Sequence, residues 1–196
     1  ALDAGTVTFG GEDVTHLPIH ARALKGLTRS FQITQVLPGF TTLENVAIAA
    51  QAHDGSSFRF FRPASAERRL NEAAMAALEQ VGLAARAASP AASLSHGEKR
   101  QLEIAMALVS EPKLLLLDEP MAGMGREETE RMVEVLMALK GRYPMVLVEH
   151  DMHAVFRLAD RISVLVYGRV IASGLPEAVR ADPAVREAYL GEEDFA

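Results

Sequence analysis

The sequence contains no cysteine, and it has fewer basic than acidic residues: 20 lysines and arginines against 26 aspartates and glutamates, a formal net charge of −6. The lack of cysteine excludes disulfides, thiolate nucleophiles and cysteine-ligated zinc, and it is typical of a reducing compartment. The acidic balance argues against a protein whose affinity for nucleic acid rests on a broad cationic surface. We therefore expect no nucleic-acid partner.

Long apolar runs are also absent. The longest, at residues 104–109 and 114–117, fall far short of the roughly 18 residues that a membrane-spanning helix needs. No signal peptide is recognisable. The chain starts with Ala1 and enters a strand-like pattern at residues 5–9. We therefore expect that the natural beginning of the protein is missing.

Strand patterns alternate with helical patterns along the chain, which predicts an α/β fold. We interpret residues 1–196 as a single, partial domain. Its α/β core would comprise residues 1–40 and 113–196, and residues 41–112 would form an inserted, mostly helical subdomain. The continuous apolar run at residues 113–117 predicts a central strand that is covered on both faces.

Two adjacent carboxylates, Asp118 and Glu119, follow this apolar run directly. They would lie at the carboxyl end of the strand, where open parallel sheets bind ligands. Two negative charges are costly there without a cationic partner, and a magnesium–phosphate complex would supply one. Asp118 would then hold Mg²⁺, and Glu119 would polarise an attacking water. The alternative is a strand end whose carboxylates lie in water.

A second candidate site is the helix start Leu-Ser-His-Gly-Glu at residues 94–98. A helix N-terminus offers free N–H groups and a positive dipole end, which suit phosphate. Gly97 allows a backbone to approach closely. The alternative is a capping box with Ser95 as the N-cap and Glu98 three residues later. The two interpretations are compatible.

Two further polar side chains follow strand patterns. His150 comes just after the apolar residues 146–148, and its imidazole could bind a terminal phosphate. The alternative is a surface histidine between a strand and a helix. Gln32 follows a strand pattern at residues 26–31, and its amide could reach a metal or a water. A glutamine in this setting is more often an ordinary loop residue.

Other polar patterns indicate ordinary surface. The charged stretch at residues 126–131 is typical of a solvated helix face with acids near its N-terminus. The histidines at positions 16, 20, 53 and 153 have no spacing typical of a metal site.

The order of these motifs makes them specific. Gln32, residues 94–98, the acids at 118 and 119 and finally His150 are separated by a helical insert and then by a β–α–β unit. In this order the chain resembles the nucleotide-binding subunit of an ABC transporter over essentially its whole length. Gln32 matches the Q-loop, residues 94–98 the signature usually written LSGGQ, the strand with its two acids the Walker B motif, and His150 the switch histidine.

The resemblance is closer still to the ATPases of branched-chain amino-acid importers, at residues 9–15, 114–124 and 182–191. Closely similar ATPases serve urea or short-chain amide importers. The resemblance implies ATP hydrolysis at the cytoplasmic face of a membrane, driving uptake through transmembrane permease subunits. A periplasmic solute-binding protein would take part indirectly, and residues 35–63 would face the permease. A non-transport ABC ATPase is an alternative, but it would need a basic groove or a long coiled insert, and neither shows.

The resemblance also implies roles for the site residues. Two subunits, identical or different, would close head to tail over two ATP molecules with Mg²⁺. Glu119 would be the general base, and Gln32 and Asp118 would hold the metal. Ser95 and the Gly97 backbone would act in trans on the γ-phosphate. The implied nucleotide-contacting residues are Gln32, Ser95, His96, Gly97, Asp118 and His150.

The sequence departs from the family pattern at several points. No G-x-x-x-x-G-K-S/T motif occurs in the 196 residues, so the P-loop that cradles the phosphates is absent. We therefore expect these residues alone to be inactive. His96 and Glu98 replace glycine and glutamine of the signature. Glu98 would repel a triphosphate unless it points back to its own helix N-terminus. Gly125 stands where the family usually has the D-loop aspartate.

Overall fold

The computed structural model describes residues 4–29, 36–53 and 68–190. The chain divides into two compact units, residues 1–149 and 150–196, each described by itself below. Both units combine helices with strands, as the α/β prediction requires. Within the described ranges, no helix has both the length and the apolar character that crossing a membrane would require.

The first unit begins with a short hairpin, in which strand β1 (Thr8–Phe9) pairs antiparallel with β2 (Glu12–Asp13). Helix α1 (Ile19–Leu24) and strand β3 (Leu27–Arg29) follow. At Gly26, just before β3, φ is +96° and an added Cβ would lie 2.9 Å from Cγ of Lys113. Glycine is therefore needed there for both its backbone conformation and its lack of a side chain.

Three helices come next: α2 (Thr42–His53), α3 (Arg68–Gln80) and α4 (His96–Leu108). They pack on one another through apolar side chains at helical spacing. These side chains are fully buried in the structure: Val46, Leu70, Leu78, Leu102 and Ile104. This cluster fixes the direction in which the N-terminus of α4 points.

A parallel sheet of order β3-β4-β5 is completed by β4 (Leu114–Asp118) and β5 (Met145–Val148), which flank helix α5 (Arg126–Lys140). Strand β4 is central and pairs with both neighbours in parallel register. The carboxyl ends of the three strands therefore lie along one edge, where Asp118 is the last residue of β4.

The prediction that the central strand is covered on both faces is wrong for one of them. Leu115 and Leu117 are buried, with 1% and 2% of their surface exposed, whereas Leu114 and Leu116 are only half-buried. An apolar run shows that a strand is hydrophobic on both faces, but it does not show what covers each face.

The second unit is small. It contains helix α6 (Met152–Leu158), the antiparallel strands β6 (Ile162–Val166) and β7 (Arg169–Gly174), and helices α7 (Pro176–Ala181) and α8 (Pro183–Val185). A π-helical turn, Arg186–Leu190, follows α8. The unit has its own apolar core, centred on the side chains of Ile162, Val164, Val179 and Val185.

Candidate active site

Asp118 ends the central strand, and its carboxylate has a cationic partner. The guanidinium Nη2 of Arg29, the last residue of β3, donates to Oδ2 of Asp118 at 2.8 Å. The Asp118 side chain is 28% exposed and that of Arg29 is 58% exposed. Parallel pairing of β3 and β4 brings the two side chains to the same sheet edge. The structure thus supplies positive charge beside the acids, although not from the source that the sequence suggested.

Glu119 follows with a left-handed backbone, φ = +46°, which is uncommon for a residue other than glycine. Two hydrogen bonds hold this conformation: the Glu119 N–H donates to the carbonyl of Val148 at 2.8 Å, and the Glu119 carbonyl accepts from the Ala122 N–H at 3.1 Å. The turn sends the chain sharply out of the sheet, so that the Glu119 side chain, half-buried, stands at the edge where Asp118 ends.

The segment after Glu119 is tied to the sheet and to α4. Oε1 of Glu149, just beyond β5, accepts from the Met121 N–H at 2.9 Å. Nε2 of His96, the first residue of α4, lies 3.0 Å from the Ala122 carbonyl oxygen. As a donor in this contact, the imidazole connects the start of α4 directly to the turn that carries Glu119.

The N-terminus of α4 is a complete capping box, as the sequence predicts. Oγ of Ser95 accepts from the Glu98 N–H at 3.2 Å, and Oε2 of Glu98 accepts from the Ser95 N–H at 2.8 Å. The other oxygen of Glu98 lies 3.3 Å from Nε of Arg86. Glu98 therefore turns back to its own helix N-terminus, the orientation that would keep it from repelling a triphosphate.

A second carboxylate occupies the same helix end. Oε1 of Glu128, in the first turn of α5, accepts from the Ser95 hydroxyl at 2.8 Å and from the Gly97 N–H at 3.2 Å. The hydrogen bond from Ser95 is the main reason that the pKa of Glu128 lies below its ordinary value, and the N–H groups of Gly97 and Gly125 contribute. Glu128 is therefore a carboxylate, not a carboxylic acid, near neutral pH.

The contact between Glu128 and α4 is close because Gly97 has no side chain. A Cβ at position 97 would lie 3.0 Å from Oε1 and 3.1 Å from Cδ of Glu128. Beside this contact lies a shallow pocket, lined in part by Ser95, Glu128 and Arg131. The predicted phosphate-binding groups of α4 thus already hold an anion from within the chain.

The remaining predicted residues are located as follows. His150 is the first residue of the second unit, follows β5 by two residues and is exposed. Gln32 and much of the segment at residues 35–63, which is expected to face the permease, lie outside the described residues. The structure therefore brings Asp118 and Glu119 to one sheet edge. The start of α4, at residues 95–97, contacts Ala122 and Glu128, which come after Glu119 in the chain.

Sequence reasoning missed Arg29 and Glu128. Residues 126–131 were expected to form a solvated face, which holds for Glu127, whose side chain is 91% exposed, but is wrong for Glu128. Glu128 lies 33 residues from Ser95, and Arg29 lies 89 residues from Asp118. Only the packing of α5 against α4 and the pairing of β3 with β4 create these contacts, and no local pattern signals either.

Asp118 also suits a magnesium ion. An aspartate carboxylate at the carboxyl end of a parallel strand is the kind of oxygen ligand that Mg²⁺ takes together with substrate phosphates. Within residues 4–29, 36–53 and 68–190, no cluster of three or more acidic or histidine side chains could hold a metal by itself.

Two family models match the chain. The model described as "ABC transporter" matches residues 1–122, and the model described as "Branched-chain amino acid ATP-binding cassette transporter" matches residues 169–194. The first covers more than half of the chain, including the helix start at residues 94–98 and the two acids at 118 and 119.

Curated relatives match over nearly the whole chain. The high-affinity branched-chain amino acid transport ATP-binding protein BraF of Pseudomonas aeruginosa is 36% identical over 195 residues, covering 96% of this chain and 76% of BraF. A probable branched-chain amino acid transport ATP-binding protein, LivG of Archaeoglobus fulgidus, is 37% identical over 198 residues, covering 98% of this chain and 76% of LivG.

A solved structure shares the fold. The ADP conformation of MJ1267, an ATP-binding cassette of an ABC transporter, superimposes with a TM-score of 0.81 at 29% identity, covering 97% of this chain and 78% of MJ1267.

Proposed function

The chain belongs to the ABC transporter family of ATPases, whose hydrolysis of ATP is coupled to transport, and we propose that it serves an importer of branched-chain amino acids. The specific substrate class is supported by the names of BraF and LivG and by the second family model, which matches residues 169–194. In this proposal the chain binds transmembrane permease subunits at the cytoplasmic face of the membrane, and a periplasmic solute-binding protein delivers the amino acid.

The observation that carries the proposal is the position of Asp118 and Glu119 at the carboxyl end of the central parallel strand. The strained turn at Glu119 places a carboxylate next to Asp118, where a γ-phosphate and an attacking water would meet. Glu119 would accept the proton of that water as it attacks phosphorus, while the bond to the departing ADP breaks. Mg²⁺ held by Asp118 would neutralise part of the negative charge of the phosphates.

The N-terminus of α4 would act on the nucleotide of a second subunit. Its Ser95 hydroxyl and Gly97 N–H both point out of the helix end, as donors to an anion. The closed dimer would therefore sandwich each ATP between one chain's phosphate-binding groups and the other chain's α4. ATP favours closure because it contacts both chains only in the closed state, and closure would move the permease.

The remaining roles rest on the family resemblance. We propose that His150 binds the γ-phosphate and orients the water, that Gln32 senses the metal or water, and that His96 contributes to the nucleotide site. Residues 41–112 would form the helical subdomain that follows nucleotide state, while residues 1–40 and 113–196 form the core. Because residues 1–196 contain no P-loop motif, we infer that they bind ATP weakly without one.

The first test of this proposal is the Glu119→Gln variant of the whole protein, as its gene encodes it. The amide cannot accept a proton, so we expect steady-state ATP hydrolysis to fall by about 100-fold or more while ATP binding is kept. Because the dimer would close but not turn over, ATP-bound dimer should accumulate in light scattering.

The matched control is Glu111→Gln. Glu111 also has a left-handed backbone, with φ = +48°, but it lies in the turn after α4, away from the sheet edge. The same loss of charge should leave hydrolysis unchanged there. Unaltered turnover in Glu119→Gln would refute the role of Glu119 as the base.

A non-transport ATPase is distinguished by its partner. The transport proposal expects the full chain, purified gently from its own cells, to bring membrane permease subunits with it. Recovery with DNA or ribosomes in place of a permease would contradict it.

A further inference from the structure

The carboxylate of Glu128 lies on the two donors that the proposed function assigns to the γ-phosphate of a partner subunit. It accepts a hydrogen bond from the Ser95 hydroxyl and another from the Gly97 N–H. Each donor has one hydrogen to offer, so neither can bind a phosphate fully while Glu128 stays in place. A phosphate approaching the helix end would also meet a like charge, which is unfavourable at short range.

We propose that Glu128 is an internal anion that occupies the N-terminus of α4 and has to be displaced when ATP closes the dimer. The inference rests on the proposed function, because it concerns the same helix end. It names a positioning residue for that site: Glu128 holds Ser95 and Gly97 in the open state and sets the ATP concentration at which closure occurs.

The geometry supports displacement over permanent binding. Oε1 is the atom that makes both contacts, and Glu128 is only half-buried. The N–H of Gly125, at the start of its own helix, also interacts with the Glu128 carboxylate. After leaving Ser95 and Gly97, the carboxylate would keep this partner at the N-terminus of α5. Release therefore does not strand a buried charge.

Displacement of Glu128 would also affect the segment between β4 and α5. Glu128 lies nine residues after Glu119 in the sequence, and His96 already links α4 to the turn that carries Glu119. Movement of Glu128 away from Ser95 would remove a contact between the start of α4 and the first turn of α5. Binding of a phosphate at α4 is thereby connected to the segment that holds the catalytic base.

The first experiment compares Glu128→Gln with Glu127→Gln in the full chain as encoded, both in a Glu119→Gln background in which dimers accumulate. Glutamine at 128 keeps an oxygen that accepts from Ser95 but removes the negative charge. We expect the ATP concentration for half-maximal dimer formation, measured by light scattering, to fall by about fivefold or more. Glu127→Gln makes the same change of charge one residue earlier, at an exposed side chain whose ion-pair partner is Arg131, and should match the parent.

The second experiment is independent of ATP. Hydrogen exchange of a peptide that spans residues 94–98 should be faster in Glu128→Ala than in Glu127→Ala, because the Gly97 N–H loses its acceptor.

A third experiment measures steady-state kinetics with Glu119 intact. In that protein, Glu128→Gln should lower the KM for ATP without lowering kcat.

The outcomes separate the two proposals. If the parent chain shows no response to ATP, the proposed function fails and the inference fails with it. If the parent responds but Glu128→Gln requires the same ATP concentration as Glu127→Gln, or a higher one, the displacement inference alone is overturned. Equal exchange of residues 94–98 in Glu128→Ala and Glu127→Ala would also overturn it.

Discussion

At the scale of single residues, each acid of the candidate site is held in place by a different kind of contact. Asp118 is paired with Arg29, Glu98 caps its own helix, and Glu128 binds a neighbouring helix end. Glu119 is placed by a left-handed turn, a conformation that costs of order 1–3 kcal/mol and persists only where the surroundings enforce it. The hydrogen bond that Glu119 donates to the Val148 carbonyl of β5 and the one that it accepts from the Ala122 N–H provide that enforcement.

Ser95 has two separable duties, and a matched pair of variants distinguishes them. Ser95→Ala and Thr41→Ala each remove the cap of a capping box, at α4 and at α2, where Thr41 and Glu44 exchange hydrogen bonds of 2.8 and 3.1 Å. Urea denaturation should show a loss of about 1 kcal/mol of unfolding free energy in both.

Only Ser95→Ala should also raise the ATP concentration needed for dimer formation, since only Ser95 is proposed to donate to a phosphate. Thr41→Ala serves as the control for a general loss of helix stability. Equal ATP responses in the two variants would show that Ser95 acts as a cap alone.

Whether the sequence predicts a contact depends on how many positions separate its two residues in the chain. The capping box of Ser95 and Glu98 is visible in the sequence because it spans three positions and uses residue types with a known local role. The pairs Arg29–Asp118 and Ser95–Glu128 require tertiary structure, so they could not be predicted from a single sequence.

At the scale of elements, the apolar periodicity predicts most boundaries closely. The apolar runs at residues 145–148 and 162–166 predict two strands, and the structure has strands with those bounds. The pattern at residues 43–51 predicts a helix, which in the structure extends over Thr42–His53. At the end of the described chain, the sequence pattern predicts one short helix over residues 183–190, but the structure changes to a π-helical turn after Val185. Periodicity is weakest there because the segment is short and has few buried side chains.

Helix α4, which carries the candidate phosphate donors, contains a buried ion pair between two of its own residues. Nη1 of Arg100 donates to Oε2 of Glu103 at 3.0 Å, and the two side chains are 6% and 9% exposed. Arg100→Met should lower the unfolding free energy by about 3 kcal/mol, because it breaks a buried ion pair by removing only its cation. Denaturant titration measures this loss.

The double variant Arg100→Met with Glu103→Leu separates charge from packing. Since it removes both charges, it should recover most of the stability that the single variant loses. A double variant as unstable as Arg100→Met would show that the loss comes from packing and not from the uncompensated carboxylate.

At the scale of the whole molecule, the described residues include the proposed catalytic and trans-acting groups but no P-loop motif that would cradle the phosphates. Asp118 and Glu119 would act on a nucleotide held in the same chain, and the N-terminus of α4 on one held by a partner. A P-loop binds phosphate through a nest of backbone N–H groups and a lysine, which supply much of the attraction for a triphosphate. The 196 residues contain no such motif.

We therefore predict negligible ATP affinity for residues 1–196 tested alone, because carboxylates repel phosphates and the N-terminus of α4 already holds Glu128. Isothermal titration calorimetry with Mg²⁺ and ATP should give no measurable heat of binding at micromolar concentrations, whereas BraF, titrated alongside as a control, should bind. Circular dichroism of the same sample establishes that the chain is folded, so that weak binding is not a consequence of unfolding. Micromolar binding by the folded chain would mean that the described acids, with Arg29, form a nucleotide site of a different kind from the one proposed.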